Sequence, residues 1–296
     1  MINKKTNLNS DLKSSLILFG PGFAFYLVFM MVPILMSLYY SFFNWNGIKL
    51  NYSFIGLSNF IEVVQDQEVL HSILVTFWYA VPGTVIVNVL GILFAVLVNK
   101  KNLLTNIYRS VFFFPLLISP VVVGFIWKAL LNYNGIVNQL LALIHMTPID
   151  FLGNPDIAPF SIMLTNIWRD TGFVTVLYLA GLQAISKDLY DAAWIDGANG
   201  WQQFFNITFP WLAPSFTSCV ILMFTGYMRL YDIVVVLTNG GPAGATETIA
   251  MQVIKVAFNQ NRFSYGSAIA IYMLCIVSVF SITLTRFLRK REENLL

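Results

Sequence analysis

The sequence predicts an all-α polytopic membrane protein with six spanning helices. Of its 296 residues, 57% belong to the hydrophobic set and only 10% are charged, and the mean hydropathy is +0.72. Average soluble chains carry about 45–50% apolar and about 25% charged residues, so this composition excludes a water-soluble enzyme. A spanning helix needs about 20 mostly apolar residues. Six apolar stretches of that length or longer follow one another: 16–43, 74–98, 110–131, 160–183, 211–237 and 266–288.

The first stretch, 16–43, follows three lysines and could be mistaken for a signal peptide. It is too long for the hydrophobic region of such a peptide and lacks a small-residue cleavage site. Aromatic side chains at its end are typical of the membrane interface, namely Tyr39, Tyr40, Phe42, Phe43 and Trp45. We therefore expect the first helix to be retained.

The distribution of Lys and Arg predicts the orientation, because these residues are enriched in cytoplasmic loops. With the N-terminus inside, the inner segments contain 11 of the 17 Lys and Arg residues. We therefore expect a protein of the plasma (inner) membrane with both termini in the cytoplasm. The two cytoplasmic tails are predicted at 1–15 and 289–296. The residues between them, 16–288, form one transmembrane domain, with long outer loops at 44–73 and 132–159.

A polar interruption separates the fourth and fifth stretches at 184–210, on the predicted cytoplasmic side. Ser186 can cap a helix whose first turns contain Asp188 and Asp191, which are favourable at the positive end of the helix dipole. Gly197 then ends or turns this helix before a second apolar stripe begins. The segment therefore predicts a short helix, a glycine turn and a second helix at the inner surface.

The same segment contains Asp191-Ala192-Ala193, then Gly197, then nine residues and Ile207-Thr208-Phe209-Pro210. This pattern resembles the EAA motif of ATP-binding-cassette (ABC) importer permeases, which runs Glu-Ala-Ala, three residues, Gly, nine residues, Ile, one residue, Leu-Pro. Every spacing matches, with Asp191 in place of Glu and Phe209 in place of Leu. The resemblance implies a six-helix ABC type I importer transmembrane domain. It also implies a coupling helix that docks in a cleft of a cytoplasmic ATPase dimer, formed by Asp191, Ala192, Ala193, Trp194, Ile195, Asp196, Gly197 and Ala198.

The alternative for this segment is an amphipathic helix that lies on the membrane without a protein partner. Such helices carry Lys and Arg on their polar face. Here Lys187 is set against three aspartates, which are Asp188, Asp191 and Asp196. This charge distribution favours docking to a protein.

The C-terminal third resembles the carbohydrate-uptake branch of these permeases, similar to the maltose and glycerol-phosphate permeases. The resemblance is carried by the run from Tyr231 to Pro242, by Thr246-Glu247-Thr248 and by Ala257-Phe258. It implies a sugar or oligosaccharide as substrate, a second homologous permease subunit and an extracellular solute-binding protein. The binding protein would contact the loop Thr238-Asn239-Gly240-Gly241-Pro242. The alternative is that this cluster only forms a turn before the next helix.

Ionisable groups at membrane depth indicate either a translocation path or a structural contact. Each costs about 2.5–3.5 kcal/mol on the insertion scale and usually faces the bundle interior. Arg229 and Asp232 could pair within one helical turn, and Arg169 and Asp170 interrupt the fourth stretch. Both interpretations remain open: structural ion pairs, or a path or gate formed by Asn166, Trp168, Arg169, Tyr227, Arg229, Tyr231 and Asp232.

The sequence contains no G-x-x-x-x-G-K-[ST] motif, so we expect ATP and Mg²⁺ on the partner ATPase and no cofactor in this chain. We find no catalytic nucleophile–base arrangement and no Cys/His/carboxylate spacing typical of a metal site. The net charge of +3 does not suggest nucleic acid as a partner, and we expect the partners to be proteins and membrane lipid. Two rival classes are an ion-coupled secondary transporter or channel, whose inverted repeats are not evident here, and an intramembrane enzyme.

Overall fold

The computed structural model describes residues 18–99, 107, 111 and 113–293. The predicted N-terminal tail at 1–15 lies outside these residues, as do the inner-loop residues Lys100, Lys101 and Arg109. Contacts divide the chain into two units. Among the described residues, unit one comprises 18–66 and 253–272, and unit two comprises those of 67–252 and 273–293.

Unit one begins with helix α1, Leu18–Tyr40, which contains a π-helical turn at Leu27–Met31. A two-stranded antiparallel hairpin follows, formed by β1 (Phe43–Asn44) and β2 (Ser53–Phe54), and then helix α2, Ser58–Gln65. The Asn59 side chain donates to the Ser41 and Phe43 carbonyls and so joins α2 to the start of the hairpin.

Eight helices of unit two have described bounds, and residues 107, 111 and 113 are also helical. The eight helices are α3 (Gln67–Val98), α4 (Pro120–Leu131), α5 (Ile136–Leu143), α6 (Ala158–Gln183), α7 (Lys187–Ile195), α8 (Gly200–Trp211), α9 (Ala213–Met228) and α10 (Asp232–Leu237). Two further helices have residues in both units: α11 (Ile249–Asn259) and α12 (Phe263–Glu293).

The core of unit two lies where α3, α6 and α9 pack together. Gly91 of α3 lets α6 approach closely, because a Cβ atom at this position would lie 2.5 Å from Val174 Cγ1. The Tyr178 hydroxyl of α6 donates to Asn88 Oδ1 of α3 at 2.6 Å, and both side chains are buried. Small residues and interhelical hydrogen bonds are the usual means of helix association in membranes.

The predicted spans are largely confirmed as helices. Among the described residues, four stretches are long and apolar enough to cross a membrane, and the bent pair α8 and α9 would make a fifth. The four are Leu18–Tyr40, Gln67–Val98, Pro120–Leu143 and Phe263–Glu293. Helix α6 matches the predicted fourth span, and its 26 residues extend over about 39 Å. It is less apolar than the others because it contains Asn166, Arg169 and Asp170.

Three predicted spans differ from the helices of the structure. The fifth, 211–237, is divided, because α9 ends at Met228 and α10 begins at Asp232. The third, 110–131, is divided as well: residues 111 and 113 are helical, and α4 begins at Pro120, where the Ser119 side chain caps it by accepting from the Val122 amide. A separate 3₁₀ turn precedes it at Phe114–Leu117. The second span begins at Gln67 instead of 74, because helix formation continues past the apolar residues that defined the prediction.

Candidate functional site

The predicted helix in the polar interruption is confirmed as α7, and its two ends are capped by side-chain and backbone groups. At the start, the Ser186 hydroxyl accepts a hydrogen bond from the Asp188 amide at 3.3 Å. At the end, Gly197 adopts φ +79°, and its amide donates to the Trp194 carbonyl while the Ala198 amide donates to the Ala193 carbonyl. This pair of bonds is the Schellman motif, which favours glycine because of the positive φ.

Helix α8 follows immediately and is fixed to α7. Asn199 and Gln202 form a reciprocal capping box at its start, in which each side chain accepts from the backbone amide of the other residue. The hydroxyls of Tyr190 on α7 and Thr208 on α8 lie 2.9 Å apart within hydrogen-bonding distance. The two helices therefore form one helical hairpin, which we call the coupling hairpin (187–211).

The tip of the coupling hairpin exposes apolar side chains beside acidic ones. Trp194 is 76% exposed and Ile195 is 79% exposed. Of the other residues predicted for this surface, Asp191, Ala192, Asp196 and Gly197 are exposed, and Ala193 and Ala198 are half-buried. The eight residues Asp191 to Ala198 thus form one continuous surface of two large apolar anchors, small residues and two carboxylates. Such a surface suits a cleft in a protein partner that supplies apolar contacts and positive charge.

The seven residues predicted for a translocation path do not lie in one environment. Asn166 and Tyr227 are buried inside unit two, and the Asn166 amide donates to the Ile162 carbonyl at 2.9 Å. Trp168 is partly exposed and packs edge-on against Trp127 of α4, with ring centroids 5.7 Å apart. Only the exposed side chains can face a substrate or a partner subunit without a rearrangement of this unit.

Arg169 and Asp170 form an ion pair at 2.7 Å, between Arg169 Nη2 and Asp170 Oδ1, and the Arg169 Nε also donates to the same oxygen. The two side chains are largely buried in α6, and the buried Tyr227 hydroxyl of α9 has this pair as its charged neighbours. The pairing of adjacent residues keeps both charges compensated at membrane depth. The contact between α6 and α9 therefore contains an ion pair and a tyrosine hydroxyl.

The predicted pairing of Arg229 with Asp232 is wrong. Helix α9 ends at Met228 and α10 begins at Asp232, so the two residues do not share a helical turn. The Arg229 Nε instead donates to the Thr225 carbonyl at 3.2 Å. Between the helices, Tyr231 is half-buried, whereas Arg229 and Asp232 are exposed.

Sequence reasoning missed the side chain that stabilises this break. The Thr248 hydroxyl is buried and donates to the Leu230 carbonyl at 2.7 Å. The neighbouring Ile249 amide donates to Thr76 Oγ1 of α3 at 2.9 Å, which joins the start of α11 to the same core. Thr76 is a polar residue within an apolar run, but its contact joins residues 173 positions apart, and no local pattern encodes it.

The loop Thr238-Asn239-Gly240-Gly241-Pro242 is a compact turn stabilised from within. The hydroxyls of Thr238 and Thr246 lie 2.8 Å apart, and Thr246 also donates to the Gly241 carbonyl. Gly240 is buried at φ +83°, and of these five residues Asn239 alone is exposed. Any contact with a partner at this loop would therefore be made chiefly by Asn239 and its immediate neighbours.

The chain is similar to known membrane transport proteins over most of its length. The family described as "Binding-protein-dependent transport system inner membrane component" matches residues 87–293. A probable starch degradation products transport system permease protein of Thermoanaerobacterium thermosulfurigenes is 34% identical over 91% of each chain. The trehalose/maltose transport system permease protein of Thermococcus litoralis is 34% identical over 81% of each chain.

A solved structure has the same fold. A chain of a bacterial ABC transporter involved in the import of the acidic polysaccharide alginate superimposes with a TM-score of 0.83, at 21% identity, over 96% of this chain and 99% of that one. The two chains therefore share a fold over nearly their whole length. At this identity the similarity concerns the fold alone.

Proposed function

The chain belongs to the family of binding-protein-dependent transport system inner membrane components, and on this premise we propose that it imports a sugar or oligosaccharide as the permease subunit of an ATP-driven ABC importer. As a family member it is a multi-pass membrane protein and a transport component, with ATP hydrolysis on a separate subunit. The proposal for the cargo is supported by relatives whose names refer to starch degradation products, trehalose and maltose, and lactose.

The observation that carries the proposal is the exposed tip of the coupling hairpin. A tryptophan and an isoleucine that are each more than three-quarters exposed, next to two carboxylates and a glycine turn, are costly for an isolated surface and suit a protein interface. We propose that Asp191 to Ala198 dock in a cleft of the ATPase dimer. ATP and Mg²⁺ would bind on that partner, and this chain contributes the helix that senses its movement.

Transport by this subunit would proceed by alternating access. Closure of the ATPases displaces the tip of the coupling hairpin, and the Tyr190–Thr208 contact passes the displacement from α7 to α8. Helix α8 leads directly into α9, whose far end contains Tyr227 beside the Arg169–Asp170 pair. The coupling hairpin and the polar α6–α9 contact are therefore two sites joined by one movable helix, as coupling between sites requires.

A second homologous permease subunit would complete the path. Trp168, Arg229 and Asp232 carry polar or aromatic groups on the surface of unit two, where a partner subunit or a sugar hydroxyl can reach them. Asn166, Tyr227 and the Arg169–Asp170 pair would act as the gate behind that surface, because they are buried or largely buried. The extracellular solute-binding protein would contact the turn at 238–242 through Asn239.

The docking proposal is tested by co-purification in detergent of a tagged chain with its second permease subunit and ATPase. Ala193→Asp and Gly197→Asp should abolish ATPase recovery, since each adds bulk and charge at the tip and the second also strains the positive-φ turn. Recovery of the ATPase with both variants at the wild-type level would refute the assignment of this surface.

A matched pair of tryptophans controls for general effects of the substitutions. Trp194 and Trp201 have nearly equal exposure, at 76% and 75%, but Trp201 lies on α8 and stacks on Phe205 at 6.0 Å. Trp194→Ala should reduce ATPase recovery by at least tenfold, and Trp201→Ala should leave it unchanged.

ATP-dependent uptake of radiolabelled maltose, trehalose and lactose by the reconstituted importer then tests the proposed cargo.

A further inference from the structure

The junction between α8 and α9 is a sharp bend that lies between the coupling hairpin and the membrane core. The two helices meet at 65° at Leu212, which is fully buried. We call residues 209–216 the elbow. The chain passes from the coupling hairpin into α9 through this elbow, so the rigidity of the bend affects how much of a displacement of the hairpin reaches α9.

The C-terminal end of α12 contacts both arms of the elbow. The Arg291 guanidinium carbon lies 5.4 Å from the ring centroid of Phe209 on α8 and 5.8 Å from that of Phe216 on α9. The two rings are 6.0 Å apart and inclined at 64°. Both guanidinium distances are within the range of about 6 Å in which a cation is attracted to an aromatic face.

The elbow packs against two other helices. Leu288, one turn before Arg291 on α12, is buried and lies beside Ala213 and Thr217 of the elbow region. On α6, a Cβ atom at Gly181 would lie 3.0 Å from Leu212 Cδ2. The inner side of the bend thus packs between α6 and the end of α12, and the exposed Arg291 side chain reaches both arms of the bend.

We propose that Arg291 is a positioning residue for transport: it clasps the elbow through Phe209 and Phe216 so that α8 and α9 move as one body when the ATPases displace the coupling hairpin. A guanidinium can contact both rings only while the bend keeps its angle, because a wider angle separates the rings. The Tyr190–Thr208 hydrogen bond joins α7 to the residue just before Phe209. This proposal rests on the proposed function, and it assigns the C-terminal end of α12 a role in transmitting the movement of the coupling hairpin.

Phe209 is also one of the two positions where this chain departs from the EAA pattern, which has Leu there. A leucine would fill similar apolar space without offering a π face to Arg291. In this chain Phe209 offers Arg291 a ring face at 5.4 Å.

The clasp predicts a loss of coupling without a loss of ATP hydrolysis. In the reconstituted importer, Arg291→Ala and Phe216→Leu should each lower the amount of sugar transported per ATP hydrolysed about threefold or more, with hydrolysis retained. Arg291→Lys should restore part of the ratio, because a cation over the rings remains. Arg289→Ala, an exposed neighbour on the same helix, should keep the wild-type ratio.

A distance measurement tests the elbow independently of transport. Spin labels at Phe205→Cys on α8 and Leu222→Cys on α9, in a Cys219→Ala, Cys275→Ala background, report the angle by pulsed electron paramagnetic resonance. Arg291→Ala should broaden or lengthen this distance distribution, and Arg289→Ala should not. An unchanged distribution with an unchanged transport-to-hydrolysis ratio, or a proportional fall of transport and hydrolysis, would overturn the clasp. Absence of ATP-driven sugar uptake by the wild type would count against the proposed function, and the elbow distance alone would then decide the clasp.

Discussion

At the scale of single residues, glycines set how closely the helices of unit two approach. A Cβ atom at Gly91 would lie 2.5 Å from Val174 Cγ1, whereas one at Gly226 of α9 would meet nothing within 4 Å. Gly91→Ala should therefore lower the free energy of unfolding by about 1–3 kcal/mol, as overpacking does. Gly226→Ala should be neutral or raise it by up to about 1 kcal/mol, because alanine is the better helix former.

Thermal and denaturant unfolding of the two purified variants in the same detergent measures this difference. The pair is matched in chemistry and in helical context, and it differs in the space available for one methyl group. Equal stability of the two variants would show that α6 can move away from α3 without cost, which would contradict the tight packing of Val174.

Local chemistry made some residues of the coupling hairpin predictable from sequence. Ser186 and Gly197 act through atoms within five positions of themselves, as cap and as helix terminator, so their residue types were sufficient evidence. The Arg229–Asp232 pairing was predicted on the same local logic and is wrong, because the helix that would have paired them ends at Met228. Neither proline nor glycine occupies 229–231, and hence no local signal marked the break.

At the scale of elements, the break between α9 and α10 depends on a distant side chain. The Leu230 carbonyl lies outside both helices and accepts from the buried Thr248 hydroxyl. Thr248→Val keeps the shape of the side chain and leaves this carbonyl without that donor. We expect a loss of about 1–3 kcal/mol in unfolding free energy, the usual cost of an unsatisfied buried polar group.

Thr285 of α12 supplies the matched control for this substitution. Its hydroxyl donates to the Ser281 carbonyl at 2.6 Å, but a carbonyl inside a helix keeps its backbone N–H partner four residues on. Thr285→Val should therefore change the unfolding free energy by less than about 0.5 kcal/mol. If Thr248→Val is equally mild, the break is maintained by other contacts.

Apolar length predicted which elements exist, and it failed at their ends. The stretches 16–43, 160–183 and 266–288 correspond closely to α1, α6 and α12, since burial in lipid requires the same apolar run that hydropathy detects. The predicted stretch 110–131 is divided, because Ser119 and Pro120 begin a new helix inside a continuous apolar run. Caps and breaks depend on hydrogen bonds, and hydropathy contains no information about them.

At the scale of the whole molecule, the proposed roles require one orientation in the membrane. The coupling hairpin must face the ATPases in the cytoplasm, and the turn at 238–242 must face the solute-binding protein outside. The excess of Lys and Arg in the segments predicted to be inner supports this orientation. With both termini in the cytoplasm, the β1–β2 hairpin of unit one would lie outside.

Single cysteines at exposed positions test this orientation directly. In a Cys219→Ala, Cys275→Ala background, Leu50→Cys lies in the hairpin loop at a site that is 95% exposed, and Lys187→Cys lies at the exposed start of α7. In intact spheroplasts, a membrane-impermeant maleimide should label Leu50→Cys within minutes and should label Lys187→Cys only after detergent is added. Detergent also removes any shielding of Lys187→Cys by a docked ATPase. Labelling of Lys187→Cys in intact spheroplasts would place the coupling hairpin outside the cell, where no ATPase could reach Asp191 to Ala198, and the docking proposal would fail with it.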